Sequence, residues 1–158
     1  MMNVAKKPMT ESNALNHIAA KCAAREYCLA DIRKMLSRWE LPDGAEERIM
    51  QRLQAEKYVD ERRYAHAYVR DKFRYNHWGV KRIELELRRK GIALDIIEDA
   101  KAEINDEDNT ETLRHIIEVK RRTVKGNSEY EIRAKLFRFA LSRGFSYEDI
   151  SEVLVLDE

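Results

Sequence analysis

Apolar positions along this chain recur three or four residues apart, with polar residues between them, which is the spacing of amphipathic helices. The pattern is clearest from Tyr58 to Ile104. Tyr64, Ala65, Tyr68, Val69 and Phe73 mark one helix, and Asp60 stands where its N-cap belongs. Gly79 punctuates the chain. Val80, Ile83 and Leu87 mark a second helix, and Gly91 falls where a left-handed C-terminal residue is wanted. Ile92, Ile96, Ile97, Ala100 and Ile104 mark a third. This stretch predicts one three-helix unit.

The flanks repeat it less clearly. Residues 1–10 predict a disordered tail. A first helix begins near Ser12 and carries Ala14, Leu15, Ile18, Ala19 and Cys22 on one face; a second carries Leu29, Ile32, Leu36 and Trp39. Pro42 and Gly44 break the chain, and Asp43 is predicted to cap a helix built on Ile49, Met50 and Leu53. Beyond the acidic turn Asn105 to Asn109, Leu113, Ile116, Ile117 and Val124 mark a seventh helix. Ser128 to Glu131 fits a capping box ahead of Ile132, Leu136, Phe139 and Ala140, and Gly144 closes that helix. Ser146 is predicted to cap a last helix on Ile150, Val153 and Leu154. The helical turns Ile32–Leu36, Ile83–Leu87 and Ile132–Leu136 overlay with a period of about 50 residues. One unit has too little apolar surface to stand alone, so neighbours stack. The predicted fold is all-α: three tandem three-helix repeats, residues 11–57, 58–106 and 107–158, stacked into an elongated curved array.

Composition agrees. Of 158 residues, 44% are hydrophobic and 37% charged, with only five glycines and two prolines to interrupt helices. The net charge of +1 exerts no global pull on nucleic acid, but its distribution is uneven. From Arg62 to Lys90 ten cationic side chains face three carboxylates; from Asp95 to Glu111 Lys101 alone opposes eight. The two runs predict one basic and one acidic face. Cys22 and Cys28, with no further cysteine to complete a metal set, read as ordinary reduced residues. There is no secretory signal and no apolar run of membrane-spanning length, so the expected location is cytoplasmic. His17, His66, His77 and His115 are scattered, and neither a phosphate loop nor a nucleophile elbow occurs. Neither catalysis nor a cofactor or metal is expected.

The functional signal is the cations. Arg70, Lys72, Arg74, Lys81, Arg82, Arg88, Arg89 and Lys90 form either a contact surface for phosphates or an acidic partner, or a solvated helix face on which Glu84 and Glu86 absorb part of the charge. Lys120, Arg121 and Arg122, with Lys125, make a second cluster, and Arg133, Lys135, Arg138 and Arg143 follow nearby. Tyr75, His77 and Trp78 sit in the helix break. They either stack on bases or a partner or, as favoured for Trp78, cover the junction between helices.

Val59-Asp60-Glu61-Arg62-Arg63-Tyr64-Ala65-His66-Ala67-Tyr68-Val69, followed by Trp78-Gly79-Val80-Lys81-Arg82-Ile83-Glu84-Leu85-Glu86-Leu87-Arg88-Arg89-Lys90-Gly91-Ile92, resembles the RecX family. Glu61 departs from that family's pattern, which has a second Asp there. The resemblance implies a negative regulator of the RecA recombinase, one that binds the RecA–DNA filament, limits its growth and damps ATPase and strand exchange, modulating DNA repair and recombination. It also implies contact with single- or double-stranded DNA. The matching positions are Arg82, Arg88, Lys90 and the loop around Trp78. A monomer is expected. The alternative is a sequence-independent helical DNA-binding module with no RecA partner.

Overall fold

The structure is a computed structural model that describes residues 5–156. Among these the chain forms nine α-helices, a 3-10 turn at Lys101–Glu103 and one pair of two-residue strands. The first unit holds α1 (Glu11–Ala24), α2 (Leu29–Leu36) and α3 (Ala45–Ala55). The second holds α4 (Glu61–Asn76), α5 (Val80–Arg89) and α6 (Leu94–Ala100). The third holds α7 (Asp106–Arg121), α8 (Glu129–Ser142) and α9 (Tyr147–Leu156).

Local chemistry sets most helix ends. Thr10, Asp60, Asn105, Ser128 and Ser146 each accept a backbone N–H from the residue three places on, at 2.7–3.2 Å. The Glu131 carboxylate reaches back to the Asn127 N–H at 3.1 Å, one residue beyond the Ser128 N–H that a true capping box would use. Gly91 (φ +78°) and Gly144 (φ +99°) end α5 and α8 in matching Schellman turns: Ile92 N–H donates to Leu87 O, and Phe145 N–H to Ala140 O. Asp43 does not cap α3. Gly44, in the left-handed region at φ +76°, is the N-cap and offers no side chain, which leaves Asp43 one place too far upstream.

Three buried clusters follow, one per unit: around Ile18, Ile32, Leu36 and Leu53; around Tyr64, Ile83, Leu87 and Ile97; and around Leu113, Leu136, Ala140 and Phe145. Two residues cross between units. Val59 packs into the first cluster and Cys28 into the second. The repeat is one helical turn out of the phase predicted for α8. Ile32–Leu36 and Ile83–Leu87 are fully buried, but the matching pair in α8 is Leu136–Ala140, while Ile132 is only partly covered. The cause is length: α8 has 14 residues and α5 has 10.

The expected tail, residues 1–10, is partly ordered. Residues 1–4 lie outside the described residues. Lys7 and Pro8 (β1) pair in parallel with Trp39 and Glu40 (β2), and Met9 donates its N–H to Glu40 O at 3.0 Å while its side chain packs on the first cluster. Trp39 therefore lies in a strand and not in α2.

The middle helices α2, α5 and α8 meet end to end in reverse chain order. At the end of α5, Lys90 Nζ lies 3.2 Å from Asp31 in the first turn of α2. The end of α8 meets the start of α5 backbone to backbone: Gly79 N–H donates to Arg143 O at 2.7 Å and Lys81 N–H to Gly144 O at 3.0 Å.

Candidate functional site

The charged runs do not separate into two faces. The acidic run folds back on the first half of the basic one, because α6 and the 3-10 turn pack against α4. Arg62 pairs with Asp99 at 2.9 Å and with Asp95 at 3.7 Å, and Arg70 with Glu103 at 3.5 Å. His66 has a ring nitrogen against each of two carboxylates, Asp99 at 2.9 Å and Glu103 at 2.8 Å. Those two hydrogen bonds raise its pKa above the usual histidine value, since only an imidazolium donates from both nitrogens.

The remaining candidates divide by partner. Arg88 lies 3.9 Å from Glu84, Arg89 2.8 Å from Glu86, Lys90 3.2 Å from Asp31, Arg121 3.5 Å from Glu129 and Arg122 3.6 Å from Glu118. Their charge is answered within the chain. Lys72, Arg74, Lys81, Arg82 and Lys120 make no ion pair among the described residues. Lys81, Arg82 and Lys120 lie at the joint of the second and third units; Lys72, on α4, borders Trp78 and also lines a cleft with Arg25 and Glu26 of the first unit, and Arg74, also on α4, lines another with His77, Glu103, Asp108 and Glu111.

Two aromatic rings organise this joint. Trp78, half-buried against the second cluster, has the Arg82 guanidinium 4.1 Å and the Lys72 ammonium 5.0 Å from its ring centre. Phe139 has Lys120 at 5.1 Å and Arg143 at 5.0 Å. Such contacts hold a cation in place without cancelling its charge. Between α4, α7 and α8 lies a cleft of about 360 Å³ lined by His77, His115, Lys120, Phe139 and Arg143, with the two histidine rings 5.7 Å apart. The sequence already groups His77 with Trp78 in the helix break; Arg143 and His115 carry no sequence signal of joining them, and only the packing of the third unit on the second brings them there.

The helix dipole sharpens the picture. A helix N-terminus is a positive pole and favours carboxylates. α3, α7, α8 and α9 obey this, with Glu or Asp in their first turns. α5 has none there, and places Lys81 and Arg82 at that pole. Such placement costs each side chain about 0.3–1 kcal/mol. For Arg82 the contact with Trp78 offsets that cost, whereas Lys81 has no such contact among the described residues.

The profile "RecX, second three-helix domain" matches residues 60–100, and "RecX, third three-helix domain" matches residues 106–154. The chain belongs to the RecX family. A regulatory protein RecX of Prosthecochloris aestuarii is 28% identical over 89% of this chain and 91% of its own length. One from Clostridium botulinum is 30% identical over 61% of this chain, and one from Clostridium perfringens 28% over 78%; the match spans only 46% and 58% of those longer RecX relatives. A crystal structure of regulatory protein RecX superposes with a TM-score of 0.84 at 24% identity, covering 94% of this chain and 73% of that one. RecX from Lactobacillus salivarius gives 0.80 at 23%, covering 91% and 94%. At these identities both show the fold. Among the described residues no helix is long and apolar enough to cross a membrane, and no group of three or more His, Cys, Asp or Glu is placed to hold a metal ion.

Proposed function

We propose that this chain is a non-enzymatic regulator of the RecA recombinase that acts in the cytoplasm as a monomer. It docks on the RecA–DNA filament, limits filament growth and damps ATPase and strand exchange. The observation that carries the reading is the pair Lys81 and Arg82 at the positive pole of α5, with no carboxylate in ion-pair contact with either among the described residues. Lys72, Lys120 and Arg143 extend the same surface across two units. A nucleoprotein filament offers acidic side chains and phosphates at a regular spacing. A rigid body holding cations on two adjoining units can grip it, and so obstruct subunit addition without making or breaking a bond.

The test is RecA ATP hydrolysis on single-stranded DNA with this protein titrated in. Inhibition is expected, and Lys81→Glu with Arg82→Glu should raise the half-inhibiting concentration about tenfold or more while leaving the circular dichroism spectrum unchanged. Full inhibition by that variant would place the surface elsewhere. A gel shift on bare DNA at rising salt separates the filament from DNA alone, each phosphate contact adding about 0.9 to the salt slope. Tight binding to bare DNA with unaltered ATPase would leave a plain DNA-binding module. The Trp78 ring, half-buried and engaged by two of the chain's own cations, argues against base stacking at that position.

A further inference from the structure

His66, on α4, meets two other elements at once: its Nε2 lies 2.9 Å from Asp99 of α6 and its Nδ1 2.8 Å from Glu103 of the 3-10 turn. A neutral imidazole has one N–H and one lone pair, so it satisfies one carboxylate and turns its lone pair on the other. Nor does a carboxyl hold the missing proton. Arg62 stands 2.9 Å from Asp99 and Arg70 3.5 Å from Glu103, and these guanidiniums keep both groups ionised. The bonds from His66 and Arg62 hold the Asp99 carboxyl below the ordinary 3.8. The geometry therefore calls for an imidazolium. The His66 and Glu103 side chains are only 26% and 27% exposed, so water and salt screen their pairing only in part.

The place of this contact gives it reach. Glu103 ends the turn, Ile104 closes it by donating its N–H to Lys101 O at 3.1 Å, and Asn105 caps α7 by accepting the Asp108 N–H at 2.7 Å. Through Glu103 the His66 ring thus holds the segment that carries the second unit into the third. The surrounding charges are already committed. Asp95 lies 3.7 Å from Arg62, which is also on Asp99. Lys101 is engaged by Glu84 at 3.1 Å and Glu98 at 2.6 Å, and Arg63 by Glu26 at 2.6 Å. On the α7 side Asp108 and Glu111 line a cleft with Arg70, Arg74, His77 and Glu103, where two further carboxylates compete for the arginines.

We propose that His66 is a proton-operated brace on the link between the second and third units: charged, it ties α4 to both Asp99 and Glu103, and its deprotonation frees one carboxylate and loosens the turn that leads into α7. The sign follows from the bonds to Asp99 and Glu103, which raise the His66 pKa. Stability from the brace is complete below the ordinary 6.5 and is lost as the pH climbs through the higher folded value. The brace is separate from the cation surface at Trp78 and does not rest on the filament reading.

The test follows the carbon-bound ring protons of His66 by NMR in the full chain as the pH is raised from acid to alkaline. The midpoint should lie above that of the same histidine in the urea-unfolded chain, and the Ile104 amide resonance should move with it. Glu103→Gln removes one acceptor charge and should bring the midpoint down toward the unfolded value. His66→Gln keeps a polar side chain without the titration. It should abolish the Ile104 response and raise the unfolding constant at least about threefold more at about pH 6 than at about pH 9. A His66 midpoint at or below that of the unfolded chain overturns the proposal. So does an Ile104 amide that ignores the titration, or an equal effect of His66→Gln at both pH values. RecA ATPase inhibition is a separate readout, and its presence or absence leaves this result standing.

Discussion

Where the first two units meet, side chains carry the contact. Lys90 pairs with Asp31, Arg63 with Glu26 at 2.6 Å, and the Glu61 carboxylate accepts the Leu29 N–H at 3.4 Å. Where the second and third units meet, backbone does the same work. Gly79 and Lys81 donate directly to the carbonyls of Arg143 and Gly144, which close α8, and glycine stands on both sides of the contact. The two joints use equivalent helix ends, Lys90-Gly91-Ile92 and Arg143-Gly144-Phe145, so the contrast isolates what a close backbone approach changes. A side-chain joint consumes charge. A backbone joint leaves it free, and that is why Lys81, Arg82 and Arg143, none of them in an ion pair among the described residues, gather at the second joint while Lys90 and Arg63 are occupied at the first.

The sharpest way to break this comparison is to add one carbon. A Cβ on Gly144 would come closer than 3.0 Å to the Arg82 Cβ and backbone N and to the Gly79 carbonyl, and its φ of +99° is strained for any L residue. Gly144→Ala should cost about 3 kcal/mol or more, read as a fall in the thermal midpoint, with loss of amide protection at Gly79 and Lys81. Gly91, the equivalent residue at the first joint, has nothing within 4 Å of a built Cβ. Gly91→Ala should therefore cost only the left-handed backbone term, about 1–2 kcal/mol. Equal losses at the two sites would remove the distinction between the joints.

How far this was readable beforehand follows from range. Asp60, Ser128, Ser146, Gly91 and Gly144 act within a few residues, and their roles as caps were legible from type and position. Three tandem helical units were legible too, because the apolar spacing repeats. Asp43 misled because the left-handed turn at Gly44 shifts the start of α3 by one residue. The extra turn of α8 was hidden because Ile132 and Leu136 imitate the spacing of Ile83 and Leu87, and only burial shows which pair faces the core. Charge was the least legible. Arg62 meets Asp99 and Arg63 meets Glu26, each across 37 residues, so the run of cations looked continuous until packing split it into answered and unanswered halves.

A smaller effect is expected from the first joint's own charges. Arg63 donates to Glu26 and also to the carbonyls of Lys57 and Tyr58, at 3.1 and 3.3 Å, while the second Glu26 oxygen is buried with no protein partner. Arg63→Met leaves that carboxylate unanswered and should cost about 2 kcal/mol in chemical denaturation. Glu26→Gln added to it should recover part of the loss. Arg52→Met breaks an exposed pair with Glu56 and should cost at most about 0.5 kcal/mol. If Arg63→Met proved as mild as Arg52→Met, the first joint would be held by Cys28 and its apolar neighbours and not by charge.

The finest distinction is pH. Burial pushes the Glu61 carboxyl above the ordinary 4.5; the Leu29 N–H pulls it back, and Asp31 and Asp60 add to the rise. Burial also works against the Asp31 carboxylate, but its bonds from Cys28 and the Lys90 charge outweigh that and hold it below the ordinary 3.8. The signs oppose. Glu61 resists ionisation in the folded state, so acidifying from neutrality toward pH 4.5 removes a penalty and firms the first joint. Asp31 gains from ionisation in the folded state, so its contribution is present above pH 3.8 and is lost as the pH falls below it. The Leu29 amide, corrected for intrinsic exchange, should therefore gain protection on the first leg and lose it on the second, each by less than about 1 kcal/mol. Glu61→Gln keeps an acceptor for Leu29 but carries no charge, and should abolish the first leg while sparing the second. The Gly79 and Lys81 amides, which bond only to carbonyls, should follow neither leg; if they did, the second joint would also be governed by charge.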